Sequence, residues 1–571
     1  MPRSKKLFKK RKGVGKPVPN SAGSKTPERR DVDVTKDSSS KRKLNENVSS
    51  YDNYKYEDSD VYDIISFKEL NSLLGEIASC RKCRGQLSVF ATQINGLNAM
   101  VNVVCGRCEF SVRKQNSVSL PSKNSDINVR LVYGMRCIGK GEESAKMLCG
   151  ILNLRSPPSF KRYTKVLTEA TKSVCQESMR QAAEDAVEEN EGSRDLTCSF
   201  DGTWQKRGHC SQNGVITVIS AGKVLDISIF SKYCRCPKRL EREHLPTCCA
   251  NFEGSSGKME THGVMELYQR SQALYNVRYK FYLGDGDSSA FTTIEELKPY
   301  GDECVPVKQE CVGHVQKRMG TRLRKLKTAW GKKKLADNLT MGGRGRLTLD
   351  AIAKIQIYYG LAIRRNSSNL ENMKAAVWST FFHLLSTDEN PSHSMCPKAT
   401  DEDCWCKYNK AVAINEPYKH ADHLHLPKAV MDEVKDIFRA LADPTLLKKC
   451  LHGNTQNSNE SLNNVIWSIL PKRVFVMRNV LELGVYDAVS KFNEGNIARC
   501  RILEALGINP GYNCVSTMKR FDEVRMSKAE KAVQEIEKKC RQRKASAKRK
   551  LEEAFEAEED PDKPSYAAGE Y

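Results

Sequence analysis

The 571-residue chain has no run of about 18 apolar residues, so it is not expected to cross a membrane as a helix. Its amino terminus has no apolar core of the signal-peptide kind, and no secretory leader is expected. Acid is scarce: 70 Asp and Glu stand against 93 Lys and Arg, a formal net charge of +23. An excess of that size is out of place in an indifferent cytosolic enzyme and points to a polyanion, most simply nucleic acid. With no secretory route, the 22 cysteines belong to a reducing compartment. There they read as metal ligands and buried thiols rather than as a disulfide framework. The length suits roughly three to four domains.

Residues 1–60 are rich in Lys, Ser and Asp with almost no apolar periodicity, the composition of a disordered basic tail. Within them, Arg3 to Lys12 and Ser40-Lys41-Arg42-Lys43 are basic clusters of the type that serves nuclear import or unspecific phosphate contact. A nuclear location is therefore expected over a merely solubilising tail. Next come Cys80-x-x-Cys83 and, 21 residues on, Cys105-x-x-Cys108. Two such knuckles supply four thiolates for one tetrahedral Zn²⁺, the staple that a small module needs. Residues 61–120 thus read as a zinc-ribbon-like module, with strands over 86–91 and 99–104. Residues 121–192 read as helical, with a break at Arg155-Ser156-Pro157-Pro158-Ser159 and a long helix after it. Helix, turn and helix beside a zinc module suit DNA reading, and plain helical packing suits the pattern equally.

From Leu196 the texture becomes that of a sheet. Leu196 to Trp204 reads as a strand ending in an acid, Asp201, followed by strands over 214–220 and 223–230 joined by the two-residue hairpin link Ala221-Gly222. Tyr279 to Gly284 is a further apolar strand, running into Asp285-Gly286-Asp287. An Asp-Gly pair taken alone is usually a turn. Much later, Asn457-Ser458-Asn459-Glu460-Ser461-Leu462-Asn463-Asn464 opens a helix with Asn457, Glu460, Ser461 and Asn464 on one face and Leu462, Val465, Ile466 and Ile469 on another. A capped, solvated helix start explains this segment by itself, with Ser458 or Asn459 as the cap. Two strand-terminal acids and a helix-borne Glu460 form a less accidental set, because three carboxylates at one sheet edge can hold two Mg²⁺ ions for in-line phosphoryl transfer.

These motifs resemble those of the Mutator-like transposases, a branch of the DDE transposases. The resemblance rests on Phe200-Asp201-Gly202-Thr203-Trp204, on Gly284-Asp285-Gly286-Asp287-Ser288, on Glu310 to Gly320 with its Cys311-x-x-His314, and on Thr455 to Glu460. It implies an α/β fold: a ribonuclease-H-like catalytic core, a mixed sheet flanked by helices, with a mostly helical insertion and the zinc-ribbon-like module in front. The implied division is a first core part over 193–315, the insertion over 316–445 and a last core part over 446–525; beyond the resemblance, the charge pattern of 526–571 reads as a charged helix with an acidic tail. Carried over residue by residue, the catalytic acids are Asp201, Asp285 and Glu460, with Asp287 a rival for the second. The implied cofactors are two Mg²⁺ or Mn²⁺ ions, and the implied partners are double-stranded DNA (transposon ends and target) and further copies of the chain. Cys311 and His314 have a place near the acids in the family; a Cys/His nucleophile or ordinary core packing are the other readings.

Lys317 to Lys334 carries nine basic residues and no acid: Lys317, Arg318, Arg322, Arg324, Lys325, Lys327, Lys332, Lys333 and Lys334. A one-sign run without Glu partners at i,i+4 makes a poor solubility device and suits a DNA backbone, with Arg344 and Arg346 as an extension. Two more cysteine clusters are candidates for structural Zn²⁺: Cys234, Cys236, Cys248 and Cys249 with His244 near them, and His393, Cys396, Cys404 and Cys406. Buried free thiols are the alternative for both, and His420, His423 and His425 read as an ordinary polar loop. Three functions remain open on this sequence. The first is an active transposase, the second a domesticated zinc-containing DNA-binding descendant without cleavage, and the third a ribonuclease or junction nuclease on the same fold.

Overall fold

The computed structural model describes residues 38–54, 61–206, 211–236, 245, 248–284, 289–401 and 404–534. Its first element corrects the expectation of a structureless stretch up to residue 60. Helix α1 (Ser39–Ser49) is capped by the Ser38 hydroxyl, which accepts from the Lys41 N–H at 3.2 Å. The helix buries Leu44 and sets the Lys43 ammonium 3.5 Å above the centroid of the Phe492 ring. One turn beyond it, the Tyr51 hydroxyl donates to Asp522 at 2.7 Å. Part of the second basic cluster is thus used in packing, whereas the first cluster lies outside the described residues.

Helix α2 (Phe67–Ile77) leads into a three-stranded antiparallel sheet of β1 (Leu87–Asn95), β2 (Asn98–Cys105) and β3 (Ser111–Gln115). The Asn71 side chain ties the helix to the sheet, accepting from the Val89 N–H at 2.7 Å and donating to the Val89 carbonyl at 2.9 Å. Strand β3 was not expected, because Ser-Val-Arg-Lys-Gln is exposed throughout and carries no apolar alternation. Helices α3 (Asp126–Cys137), α4 (Glu142–Ile151) and α5 (Phe160–Glu189) follow, with the break where the prolines stand. The 30-residue α5 spends its buried face on packing. Its first half packs Phe160, Tyr163 and Leu167 against α3, and its second half gives Cys175, Met179, Ala182 and Ala186 to the main core.

The main sheet consists of β4 (Asp195–Trp204), β5 (Asn213–Ser220), β6 (Lys223–Ser231), β7 (Arg278–Gly284) and β8 (Val307–Glu310). The spatial order is β6-β5-β4-β7-β8. The first three strands form an antiparallel meander, and β7 and β8 add on in parallel beside β4. The link Ala221-Gly222 has φ of 49° and 77°, the double positive φ of a primed hairpin turn, which fits the twist of the flanking strands. Helix α6 (Ser256–Tyr275) crosses from β6 to β7, and α7 (Ser289–Leu297) from β7 to β8. Strand alternation divides β4 between two layers. Phe200 stacks on Tyr268 of α6 with centroids 5.3 Å apart, while Ser199, Asp201 and Thr203 face the opposite side.

After β8 the chain makes a second hydrophobic core from α8 (Val312–Trp330), α9 (Leu349–Arg365), α10 (Leu370–Leu385), the short α11 (Lys407–Ala413), α12 (Lys428–Leu441) and α13 (Pro444–Lys448). Met319, Leu323, Ile355, Tyr359, Phe381 and Phe438 are among its fully or nearly fully buried side chains. That core runs from Val312 to Cys450, a few residues wider at each end than the expected 316–445. The chain then returns to the sheet with α14 (Asn457–Ile469) and α15 (Arg478–Glu494), and ends with α16 (Ile497–Ala505) and α17 (Tyr512–Val533). A buried ion pair joins these last elements to α3. Arg499 donates to Asp487 at 2.8 Å, and the Tyr133 hydroxyl donates to the same carboxylate at 2.9 Å. The acidic tail lies outside the described residues. Among the described residues, no helix is long and apolar enough to cross a membrane.

Candidate active site and metal centres

Helix α14 lies across β4 through polar side chains set between its apolar ones. Leu462, Ile466 and Ile469 are buried in the main core, each contributing about 1.5–3 kcal/mol of burial. Asn459 is fully buried. Its amide oxygen accepts from the Ser199 hydroxyl at 2.5 Å, and its nitrogen donates to the Ser199 carbonyl at 3.3 Å and the Thr217 hydroxyl at 3.4 Å. Gln456 donates to the Phe200 carbonyl at 2.7 Å, and the Trp467 indole N–H to the Thr203 hydroxyl at 2.8 Å. Between these contacts, Asn463 donates to Asp201 Oδ2 at 2.7 Å. The residue that flanks the helix start is Gln456, not Ser458 or Asn459.

Asp201 lies within β4 rather than at its end, since the strand continues to Trp204. Ser199 is paired with Leu283 in the parallel β7, and the described part of that strand stops at Gly284. Asp285 and Asp287 both fall outside the described residues. Glu460, three residues before Asn463 on α14, has an exposed side chain, with Lys317 Nζ 3.1 Å and His314 Nε2 3.9 Å from its Oε1. Glu460, His314 and Lys317 therefore meet at one point, and Asp201 is held by the next turn of the same helix.

Cys311 is buried at the start of α8, where its sulfur accepts the Gln456 backbone N–H at 3.3 Å. Backbone bonds from Glu310 to Lys449 (2.9 Å) and from Val312 to Asn454 (3.2 Å) continue the same seam. Cys311 thus fixes where α14 begins relative to β8 and α8, a packing task that a thiol inside the fold suits better than nucleophilic attack. Of the basic run, Lys317, Arg322, Arg324, Lys325 and Lys332 to Lys334 are exposed, while Arg318 and Lys327 are half-buried. Arg318 is held by Glu310 at 2.6 Å. Arg346 is buried and paired with Asp337 at 2.5 Å, which removes it from the expected extension, whereas Arg344 is exposed.

Three cysteine clusters converge. The sulfurs of Cys80, Cys83, Cys105 and Cys108 all lie within 4.8 Å of one another, from two matched turns in which Arg84 and Glu109 have φ of 61° and 55°. Backbone N–H groups of Arg107 and Cys108 pull the Cys105 thiol down to about 6, the direction a metal ligand needs. Four thiols at this separation fit a tetrahedral Zn²⁺.

The second expected cluster is corrected in one member. Cys234, Cys236 and Cys248 converge within 4.8 Å, but the Cys249 sulfur donates to the Tyr233 carbonyl at 3.2 Å instead. His244 falls outside the described residues.

The third cluster is corrected too. His383 from α10 joins His393, Cys396 and Cys406 within 4.8 Å, while the Cys404 sulfur points to the carbonyls of Pro397 and Cys406, at 3.4 and 3.7 Å. His383 and His393 both present Nδ1 to the sulfurs. Behind His393, its Nε2 meets His420 Nε2 at 3.0 Å, and His420 Nδ1 meets Asp388 at 2.6 Å. Such a backing chain fixes the ring orientation of a metal-binding histidine, so His420 is no ordinary loop residue. The Cys396 thiol, by its hydrogen bond, lowers Cys406 to about 4, and two sulfurs with two imidazoles fit structural zinc. Sequence spacing had no means of finding His383, which lies ten residues before His393 on another element.

A family profile described as Mutator-like transposase matches residues 61–406, more than half of the chain. The chain belongs to the Mutator-like transposase family. The matched span includes the first zinc-type cluster, Asp201, the Cys311-x-x-His314 motif and most of the helical insertion. It stops before Glu460. No curated protein and no solved structure matches the chain.

Proposed function

We propose that this family member is a DDE-type DNA transposase acting in the nucleus, with Asp201, Asp285 and Glu460 as its catalytic acids and Mg²⁺ or Mn²⁺ as its cofactor. The observation that carries the proposal is the docking of α14 on β4. Asn463 and Glu460 lie one turn apart there, and Asn463 holds Asp201 at 2.7 Å. An antiparallel meander followed by two parallel strands in the order β6-β5-β4-β7-β8 supports a ribonuclease-H-like core. The insertion between β8 and α14, with a core of its own, fits the same plan. In this reading Asp201 and Glu460 hold the ions together with Asp285, the residue after β7. Divalent ions supply activation of water and neutralisation of charge on the scissile phosphate.

The chain's own groups do the rest. Asn463 orients the Asp201 carboxylate, Cys311 sets the start of α14, and Lys317 lies 3.1 Å from Glu460, where a phosphate oxygen also needs a cation. The exposed basic side chains between Arg322 and Lys334 follow the DNA backbone. Double-stranded DNA, as transposon ends and as target, is the partner, and further copies of the chain assemble on it. The three cysteine clusters are structural, since among the described residues each converges through thiols and imidazoles without a carboxylate.

The test is Mg²⁺- or Mn²⁺-dependent nicking and strand transfer on DNA carrying the element's own ends, wild type beside Glu460→Gln. Cleavage by wild type that disappears in the variant, with DNA binding retained, is the expected result. DNA binding without cleavage by either protein overturns the enzymatic reading in favour of a domesticated DNA-binding protein. Cleavage that survives in Glu460→Gln removes Glu460 from the site.

A further inference from the structure

The helical insertion contains a cavity of about 840 Å³ that the proposed catalytic site does not use. Its size is that of pockets that enclose a cofactor or a nucleotide. Two aromatic rings on its wall, Tyr358 from α9 and Trp405, are within 20° of parallel with centroids 6.4 Å apart. A near-parallel aromatic pair of this kind offers ring faces on which an unstacked base can stack. Among the described lining residues, Lys354, Arg365, Lys398 and Lys407 stand against Asp401 and Asp422. Lys398 and Lys407 are exposed at the rim, and Asn366 and Asn372 bring amide side chains to the wall. Aromatic faces for a ring, amides for its edge and ammonium groups for a phosphate are what an unstacked nucleotide requires.

Trp405 is held in place by the third cysteine cluster. It lies between Cys404 and Cys406, and its ring meets the edge of His383 at 4.9 Å and 70°. His383 and Cys396 also reach the cavity wall. The metal-type centre therefore sets the orientation of the platform, which gives a distant structural site a direct bearing on recognition.

We propose that this cavity takes one unstacked base of the bound DNA, against Trp405 and Tyr358, with the adjoining phosphate at Lys398 and Lys407. The proposal rests on the DNA-processing reading above. A base still paired inside a duplex cannot enter, so the site selects DNA with an extrahelical or readily unpaired nucleotide. Its contribution is separate from that of the basic run on α8, which contacts backbone of any sequence.

The experiment uses the full chain, its zinc content measured, and two short duplexes of the same sequence. One is fully paired, and the other carries a single unpaired 2-aminopurine. Wild type is expected to bind the bulged duplex more tightly and to quench its fluorescence. Trp405→Ala is expected to weaken bulge binding about 5- to 100-fold, the range that loss of one stacking face produces, and to leave the fluorophore bright. Tyr358→Ala, on a helix that contributes no metal ligand, is expected to act in the same direction. It decides the matter if Trp405→Ala loses zinc or fails to fold. Equal affinity for the two duplexes, with a bright fluorophore in wild type, overturns the pocket while leaving DNA binding intact. Binding of neither duplex overturns the DNA reading and the pocket with it.

Discussion

Asn459 and Glu460 are neighbours on one helix with opposite tasks, and a pair of alanine variants separates them. Asn459→Ala removes the partner of the Ser199 hydroxyl and carbonyl and of the Thr217 hydroxyl, all at a fully buried position. Each hydrogen bond contributes about 0.5–1.5 kcal/mol net, and a buried group left without a partner costs about 1–3 kcal/mol. Some of the loss is recovered by rotation of the hydroxyls, so about 3 kcal/mol is expected in all, a roughly hundredfold rise in the opening of α14. Glu460→Ala acts on a side chain that is 54% exposed and ion-paired with Lys317, which is itself 59% exposed. A surface pair of that kind contributes at most about 1 kcal/mol. The assay is hydrogen exchange resolved to the peptides of α14 and β4, because a global melt averages over several separate cores. Asn459→Ala is expected to accelerate exchange in both elements, and Glu460→Ala to leave it within a few-fold of wild type while abolishing strand cleavage. Equal acceleration by both variants, or none by Asn459→Ala, refutes the division of roles.

Further expectations follow from other parts of the structure. His383→Ala should lose the zinc of the third cluster while Cys404→Ser keeps it, as read by metal content of the purified proteins. Asp487→Ala leaves Arg499 buried without its carboxylate and should cost about 3–5 kcal/mol, measured as a loss of urea resistance. Burial, aided by the nearby Arg525 charge, lowers the Lys43 ammonium to about 7. The unfolded chain holds that proton up to about 10.4, so this group makes stability lowest below about pH 7 and raises it between about 7 and 10.4. Urea midpoints at pH 7 and 9 should accordingly differ less in Lys43→Met than in wild type. Replacing Lys332, Lys333 and Lys334 together with Gln should reduce the salt dependence of DNA binding, by about 0.9 in log–log slope for each phosphate that these ammonium groups neutralise.

The amino-acid sequence by itself determined the parts whose cause is local. The two Cys-x-x-Cys turns, the hairpin at Ala221-Gly222, the proline break before α5 and the insertion helices from Leu349 and Leu370 all follow from short-range spacing and turn chemistry. Asp201 and Glu460 were singled out for a different reason: the short motifs around them stand in the order that the resemblance implies, and the family match covers Asp201 and stops before Glu460. Tertiary structure alone decided which side chains meet. The interleaving of Asn459 and Asn463 with Leu462 and Ile466 looks like a mixed helix face in sequence. It becomes intelligible only when β4 supplies Ser199 and Asp201 as partners 260 and 262 residues away. His383 replaced Cys404 because ligand convergence depends on how α10 faces the loop after it, and spacing along one segment does not record that. The contact of Cys311 with the start of α14 is a bond to a residue 145 positions on, which no local pattern records. Periodicity records which face of an element is buried; the identity of the partner across that face is set by the packing of distant segments.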